Sequence, residues 1–129
     1  MLVGFNHLSA PQKKATIEKE NETRYREVYS HELAHKTAAG SFGGSIHIDK
    51  NADGLIVGGH VPIQMPVMDH KNPEKTKSHA EIVFRAAMAP GSGLSSADYK
   101  VAAQAKSMIS LADKAIHDNK TGKKLDIIG

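Results

Sequence analysis

The longest helical pattern in the sequence runs from Ser9 to Gly40, SAPQKKATIEKENETRYREVYSHELAHKTAAG. Ser9 suits a helix N-cap, Pro11 suits the first turn, and Gln12 stands where a capping box returns a hydrogen bond to the cap. Residues suited to an inward face then recur at steps of three, four and seven: Ile17, Arg24, Val28, His31, His35 and Ala38. The sequence predicts one long helix over about residues 10–39, either continuous or interrupted near Asn21, and Gly40 ends it.

A β-hairpin is predicted directly after this helix, over about residues 45–61. Two short β-prone runs, IHID and LIV, flank the turn signal KNADG. A two-residue loop of Asp53 and Gly54 would place His47 opposite His60, whereas a four-residue loop would shift that register. Pro62 and Pro66 then favour an extended crossing segment rather than a longer strand.

Two further helices are predicted in the second half of the chain, over about residues 73–88 and 96–118. Asn72 and Pro73 read as the cap and first turn of the former, and Ser95 and Asp98 form a capping-box-like start for the latter. An apolar, alanine-rich stripe along the last helix reads as core. Three main helices with one small hairpin indicate an α+β fold.

Composition limits the classes of protein that fit. The 129 residues suit a single domain, 1–129, with residues 1–8 and 120–129 as flexible tails or a pair of strands. The chain has no cysteine, so any metal is held by His, Asp or Glu. The net charge of +3 comes from scattered residues, which argues against nucleic acid as a partner. No run of about 18 apolar residues and no signal peptide is visible, so we expect no membrane span and, by default, a cytoplasmic protein.

The candidate site is His31-Glu32-Leu33-Ala34-His35, which has the H-E-x-x-H spacing. Residues four apart share one face of a helix about 6 Å from each other, so His31 and His35 can present two imidazoles to one ion. Glu32 is rotated by about 100° from His31, which places its carboxylate beside the ion as a general base for a zinc-bound water. The pattern therefore predicts two zinc ligands and a catalytic glutamate.

A third ligand is needed and several residues qualify. The metzincin pattern fails, because Ala38 and Ser41 stand where it needs Gly and His. A glutamate or histidine from the next helix is one alternative, and a histidine of the hairpin is another. The candidates from the residues alone are Glu74, Glu81, His79, His47 and His60.

Five short motifs in order resemble the SprA-related family of bacterial proteins, which are classed as metalloproteases by motif. They are HELAHKTAAG, NADG followed by IVGGHVPI, NPEKT, AAMAP, and LSSAD followed by VAAQA, and together they cover about residues 27–116. The resemblance implies a zincin-like active-site helix with His31 and His35 as zinc ligands and Glu32 as base. The family's VGGEV strand has Glu where this chain has His60, so it also implies His60 as the third ligand and gives no support to His79 or Glu81.

We therefore expect a zinc-dependent hydrolase, a small metallopeptidase that acts on a peptide or protein substrate. Zinc would be held by His31, His35 and His60, and Glu32 would activate the water. An edge of the hairpin would hold an extended peptide, and Tyr29, His47 or Tyr99 would supply a further donor. The alternative is a non-catalytic zinc module in which the metal stabilises a thin core, and a weaker one has no metal at all.

Overall fold

The computed structural model describes residues 7–122, and the predicted α+β architecture is confirmed. Helix α1 is Ala10–Ala39, followed by a short 3-10 turn, Gly40–Phe42. Strands β1, His47–Lys50, and β2, Ile56–His60, form the hairpin. Helices α2, Pro73–Met88, and α3, Ser96–His117, complete the fold, and a π-helical turn, Asp118–Gly122, follows α3. The three helices agree with the predicted ones to within one residue at each end.

Helix α1 is continuous and begins with the predicted cap. The Ser9 hydroxyl accepts the Gln12 amide, and the Gln12 side chain accepts the Ser9 amide, so the capping box is complete. Of its thirty residues only Ile17, Glu32, His35 and Ala39 are buried. Because two of these four are ionisable, polar contacts have an unusually large part in docking α1 to the rest of the molecule.

The hairpin has the register in which His47 lies opposite His60, but for a different reason from the one predicted. Bonds from Gly54 N to Asn51 O (3.0 Å) and from Asn51 N to Leu55 O (2.9 Å) close a three-residue loop, 52–54, in place of a two-residue one. Gly54 has φ +84°, as the last position of such a loop requires. The pairing then shifts by one residue between Lys50↔Ile56 and Asp49↔Gly58, so Val57 is an extra, bulged residue. The extra loop residue and the bulged residue shift the strand register in opposite directions, so His47 still lies opposite His60.

Helices α2 and α3 pack against each other over the largest helix–helix interface of the described chain. Their buried apolar side chains are small: Ala80, Val83, Ala86, Ala87, Ala102, Ala105 and Ala112. Small side chains let the two backbones approach closely, so this core is thin. Val101 and Met108, which are larger apolar residues of α3, are only partly buried.

The crossing segment between β2 and α2 is extended, and the predicted cap of α2 is wrong in one detail. Asn72 occupies the N-cap position, but its side chain makes no capping hydrogen bond. Instead the Asp69 carboxylate accepts the amides of Lys71 and Asn72, and the buried Thr76 hydroxyl accepts the amide of Asp69. The turn before the helix is thus held by Asp69 and Thr76.

Predictions for the two ends of the chain lie largely outside the described residues. A strand or tail over 1–8 and a strand or tail over 120–129 fall mostly on residues 1–6 and 123–129. Among residues 7–122, none of the helices has the length and apolar character needed to cross a membrane.

Candidate metal centre

The last turns of α1 bring His31, Glu32 and His35 together on the inner face of the helix. One potential ligand atom from each of the three lies within 4.8 Å of the others. Glu32 and His35 are only 6% and 3% exposed. Burial of polar groups costs free energy unless they are paired with protein groups or bind a ligand. The burial of two ionisable side chains at one place in a protein with a thin core therefore calls for an explanation.

His35 is held in one ring orientation by a backbone carbonyl. Its Nδ1–H donates to the Ala86 carbonyl oxygen of α2 at 2.7 Å. In the neutral ring this bond leaves the lone pair on Nε2, which lies 3.2 Å from His31 Nε2. Two imidazole nitrogens on a tetrahedral zinc, each at 2.0–2.1 Å, are about 3.3 Å apart. The separation of the two Nε2 atoms is therefore close to that of two imidazoles on one zinc ion.

A third group reaches the same point from helix α3. Asp98 Oδ2 lies 3.4 Å from His35 Nε2 and 3.7 Å from His31 Nε2. The same oxygen accepts the Ser95 amide at 2.9 Å, within the capping box that starts α3. The start of α3 therefore fixes the carboxylate against the histidine pair of α1.

Glu32 sits beside the histidine pair. Burial raises the pKa of its carboxyl above the ordinary value, and the neighbouring His35 and His31 partly oppose that shift. Within residues 7–122 its carboxylate accepts no hydrogen bond from the protein. A carboxylate that has no protein donor but is still open to the solvent, next to two imidazoles, is suited to accept a proton from a bound molecule.

Strand β2 passes unusually close to α1 at this point. A Cβ on Gly59 would lie 2.7 Å from Val28 Cγ1, 2.8 Å from the His47 carbonyl oxygen and 3.1 Å from Glu32 Cγ. Only glycine fits at this position. The adjacent Gly58 is different, since a Cβ there would meet nothing within 4 Å.

A cavity of about 580 Å³ opens onto the cluster between α1, β2 and the start of α3. Polar groups at its surface include His31, Glu32, His35, His60 and Asp98. Its other walls are largely apolar and include Val28, Val57, Val61, Ile63, Met65 and Val101. An apolar cleft with a few convergent polar groups is the usual form of a small-ligand or substrate site.

The structure places His60, the predicted third ligand, at the side of this cavity. Its Nδ1–H donates to Asp49 Oδ2 at 3.0 Å, and its ring stacks on that of His47 with centroids 4.8 Å apart. The His60 side chain is 58% exposed. The three residues whose ligand atoms lie within 4.8 Å of one another are His31, Glu32 and His35, so this group contains neither His60 nor Asp98. Of these two, only Asp98 has short contacts to His31 and His35. The ligand role of His60 stays a prediction.

The other candidate ligands from α2 are not brought to the cluster. His79 stacks on Phe42, with centroids 3.6 Å apart, and its Nε2–H donates to the Gln64 carbonyl oxygen at 2.8 Å. Neither His79, Glu74 nor Glu81 is among the described residues that line the cavity. His47, Tyr29 and Tyr99, named as possible donors, are also missing from that lining.

Asp98 is the residue at the site that the sequence did not nominate. In the sequence, its place in the Ser95 capping box explained an aspartate at this position, and that place suggested no second role at a metal site. The available signal was its identity, because that position of a capping box usually holds Glu or Gln. The shorter aspartate still closes the box here and also brings its carboxylate to the histidines of α1.

A comparison with models of protein families supports the resemblance found in the motifs. The model of the SprA-related family matches residues 6–125. The chain belongs to the SprA-related family. Searches of curated proteins and of solved structures find no match to this member of the family. The match shows the family and leaves the reaction to be argued from the site.

Proposed function

We propose that this SprA-related protein is a zinc-dependent hydrolase, a small metallopeptidase in which Glu32 is the general base. The observation that carries the proposal is the pair of Nε2 atoms of His31 and His35, 3.2 Å apart, beside a buried glutamate that has no protein donor. A solvated helix face would not need that arrangement.

The donor set suits zinc better than the hard cations. Imidazole nitrogen is a common ligand of zinc, whereas magnesium and calcium prefer oxygen. Bound there, zinc would polarise a substrate carbonyl and lower the pKa of water at the site. The chain's own groups supply the remaining functions: Ala86 orients His35, and Glu32 accepts the proton from the attacking water.

The shape of the cavity supports a peptide as the substrate class. Residues Val57 to His60 line it from β2, a strand of a two-stranded sheet and therefore an edge strand within the described chain. Edge strands bind extended peptides through backbone hydrogen bonds, while pockets select side chains. The apolar wall of Val61, Ile63 and Met65 favours an apolar substrate side chain next to the cluster.

Replacement of Glu32 by Gln tests the proposed base. The amide keeps the size of the side chain but cannot take the proton, so cleavage of a mixed peptide library should fall about 10²- to 10⁴-fold. Zinc content, measured by metal analysis after gel filtration, should stay stoichiometric. The matched control is Glu22→Gln, an exposed carboxylate of the same helix that does not line the cavity.

Two results would count against this function. Wild-type protein that retains no zinc removes the metal on which the proposal depends. Cleavage that survives Glu32→Gln, in preparations that contain stoichiometric zinc, removes the assigned base.

A non-catalytic zinc module is the second candidate, and the burial pattern of α1 favours it. This helix contributes only Ile17 and Ala39 as buried apolar side chains, so a metal that joined it to its neighbours would stabilise the fold. If the protein is such a module, Glu32→Gln should leave its function unchanged. A chelator should also unfold the molecule.

A further inference from the structure

We propose that Asp98, and not His60, is the third protein ligand of the zinc held by His31 and His35. The inference rests on the proposed zinc site but not on the hydrolytic reaction. It assigns a metal-binding role to a residue whose visible function is to cap a helix.

The first argument is the triangle of potential ligand atoms. His31 Nε2, His35 Nε2 and Asp98 Oδ2 are separated by 3.2, 3.4 and 3.7 Å. Three ligands of a tetrahedral zinc are about 3.3 Å apart in each pair, for bond lengths near 2.1 Å. All three edges are therefore close to those of an occupied site.

The second argument is the orientation of each ligand by a neighbouring backbone group. The Ala86 carbonyl holds His35, and the Ser95 amide donates to Asp98 Oδ2. Metal-binding sites commonly hold their ligands by such outer contacts. With a side-chain exposure of 21%, Asp98 is also much less open to solvent than His60, at 58%.

The third argument concerns His60. Its short contacts are with Asp49 and His47 of the hairpin, and none of them joins it to His31 or His35 within the described residues. The Gly59 backbone, packed against Val28 and Glu32, fixes the position of the strand from which His60 projects. His60 therefore lies at the cavity as a group that meets substrate rather than metal.

The test is zinc affinity, measured by competition with a chromogenic chelator, for Asp98→Asn and His60→Gln beside the wild type. Asparagine keeps an oxygen that accepts the Ser95 amide but loses the charge. Because loss of an outer contact alone costs 10- to 100-fold in metal affinity, Asp98→Asn should weaken zinc binding by about 100-fold or more. His60→Gln should leave the affinity unchanged.

Two controls separate ligation from folding and from charge. Ser95→Ala removes the other half of the capping box and keeps the carboxylate, so it should lower Tm without changing zinc affinity. Asp113→Asn removes an exposed carboxylate from the same helix, where it pairs with Lys77, and should also leave the affinity unchanged.

Cysteine substitution reports ligation directly, because the natural chain contains no cysteine. Cobalt(II) bound to a thiolate gives an intense near-ultraviolet charge-transfer band. The band should appear in cobalt-loaded Asp98→Cys and be missing from His60→Cys.

Each outcome decides a different point. Wild-type protein that binds no zinc overturns the proposed function together with this inference. If the wild type binds zinc, an affinity loss in His60→Gln, or none in Asp98→Asn, overturns Asp98 alone. A weakened Asp98→Asn without the band in Asp98→Cys gives Asp98 an indirect role and also overturns direct ligation.

Discussion

At the scale of single residues, Gly59 controls how closely the hairpin approaches the candidate metal centre. Replacement by alanine would put a methyl group 2.8 Å from the backbone oxygen of His47 and 2.7 Å from Val28 Cγ1. A backbone atom cannot move aside as a side chain does, so we expect a destabilisation of about 1–3 kcal/mol, as for other overpacked sites. Urea denaturation monitored by circular dichroism measures it.

The adjacent glycine is the matched control for that substitution. Gly58→Ala places its methyl group where no atom lies within 4 Å, in the same strand and with the same change of composition. It should change the free energy of unfolding much less than Gly59→Ala. If both variants lose the same free energy of unfolding, the close packing of β2 on α1 does not contribute to stability.

The sequence identified individual site residues only where their spacing carried information. His31, Glu32 and His35 were readable because four residues make about one helical turn, and the structure brings all three together as expected. Asp98 is sixty-three positions further along the chain than His35, and no local spacing encodes that contact. Its nomination requires knowledge of how α3 packs beside α1, which is a property of the assembled fold.

At the scale of secondary-structure elements, Asn21 joins α1 to the hairpin. Its side-chain nitrogen donates to the Gly54 carbonyl, and its side-chain oxygen accepts the Ile56 amide, both at 2.9 Å. Arg24, one turn later, donates to the Ile56 carbonyl at 3.0 Å. Asparagine is a weak helix former, and here its cost within the helix is offset by these two tertiary bonds.

Asn21→Ala should therefore destabilise the protein although alanine favours the helix. The Ile56 amide belongs to a residue that is 3% exposed, and an unsatisfied buried donor costs about 1–3 kcal/mol. Chemical denaturation gives the total, and hydrogen exchange at the Ile56 amide should show lost protection. Thr23→Ala, at an exposed position of the same helix, is the control and should be neutral or stabilising. A neutral Asn21→Ala would show that the hairpin is held without this side chain.

The hairpin shows why elements are easier to predict than their details. KNADG and its flanking β-prone runs were sufficient to place the hairpin, whereas the predicted pairing of His47 with His60 depended on a two-residue loop that the structure does not have. The loop length and the Val57 bulge were not readable, because each depends on how β2 lies against α1. The capping boxes of α1 and α3 are local, and both were predicted and are present.

At the scale of the whole molecule, the fold consists of a tightly packed helix pair and a long helix attached to it mainly by polar groups. The α2–α3 core is built from alanines and Val83, whereas α1 meets its neighbours through Asn21, Arg24, His35 and the His31–Asp98 contact. Two of these contacts, those of His35 and of His31 with Asp98, lie at the candidate metal centre. With Asp98 as a ligand, an ion bound there would join α1 to α3, and α1 has only two buried apolar side chains to hold it otherwise.

Zinc should consequently stabilise the native protein in proportion to its occupancy. For an ion that binds only the folded state, a free concentration of one hundred times Kd adds about 2.7 kcal/mol to the free energy of unfolding. Denaturation curves recorded with buffered zinc and with chelator measure this increment, and magnesium at equal concentration should give none, since it prefers oxygen ligands. The control is the double variant His31→Gln, His35→Gln. It loses the hydrogen bond from His35 to Ala86, so it is less stable than the wild type even without zinc. The two proteins are therefore compared only by how much zinc raises the free energy of unfolding of each. The increment should vanish in that variant; if it persists unchanged, the ion binds at some other place in the chain.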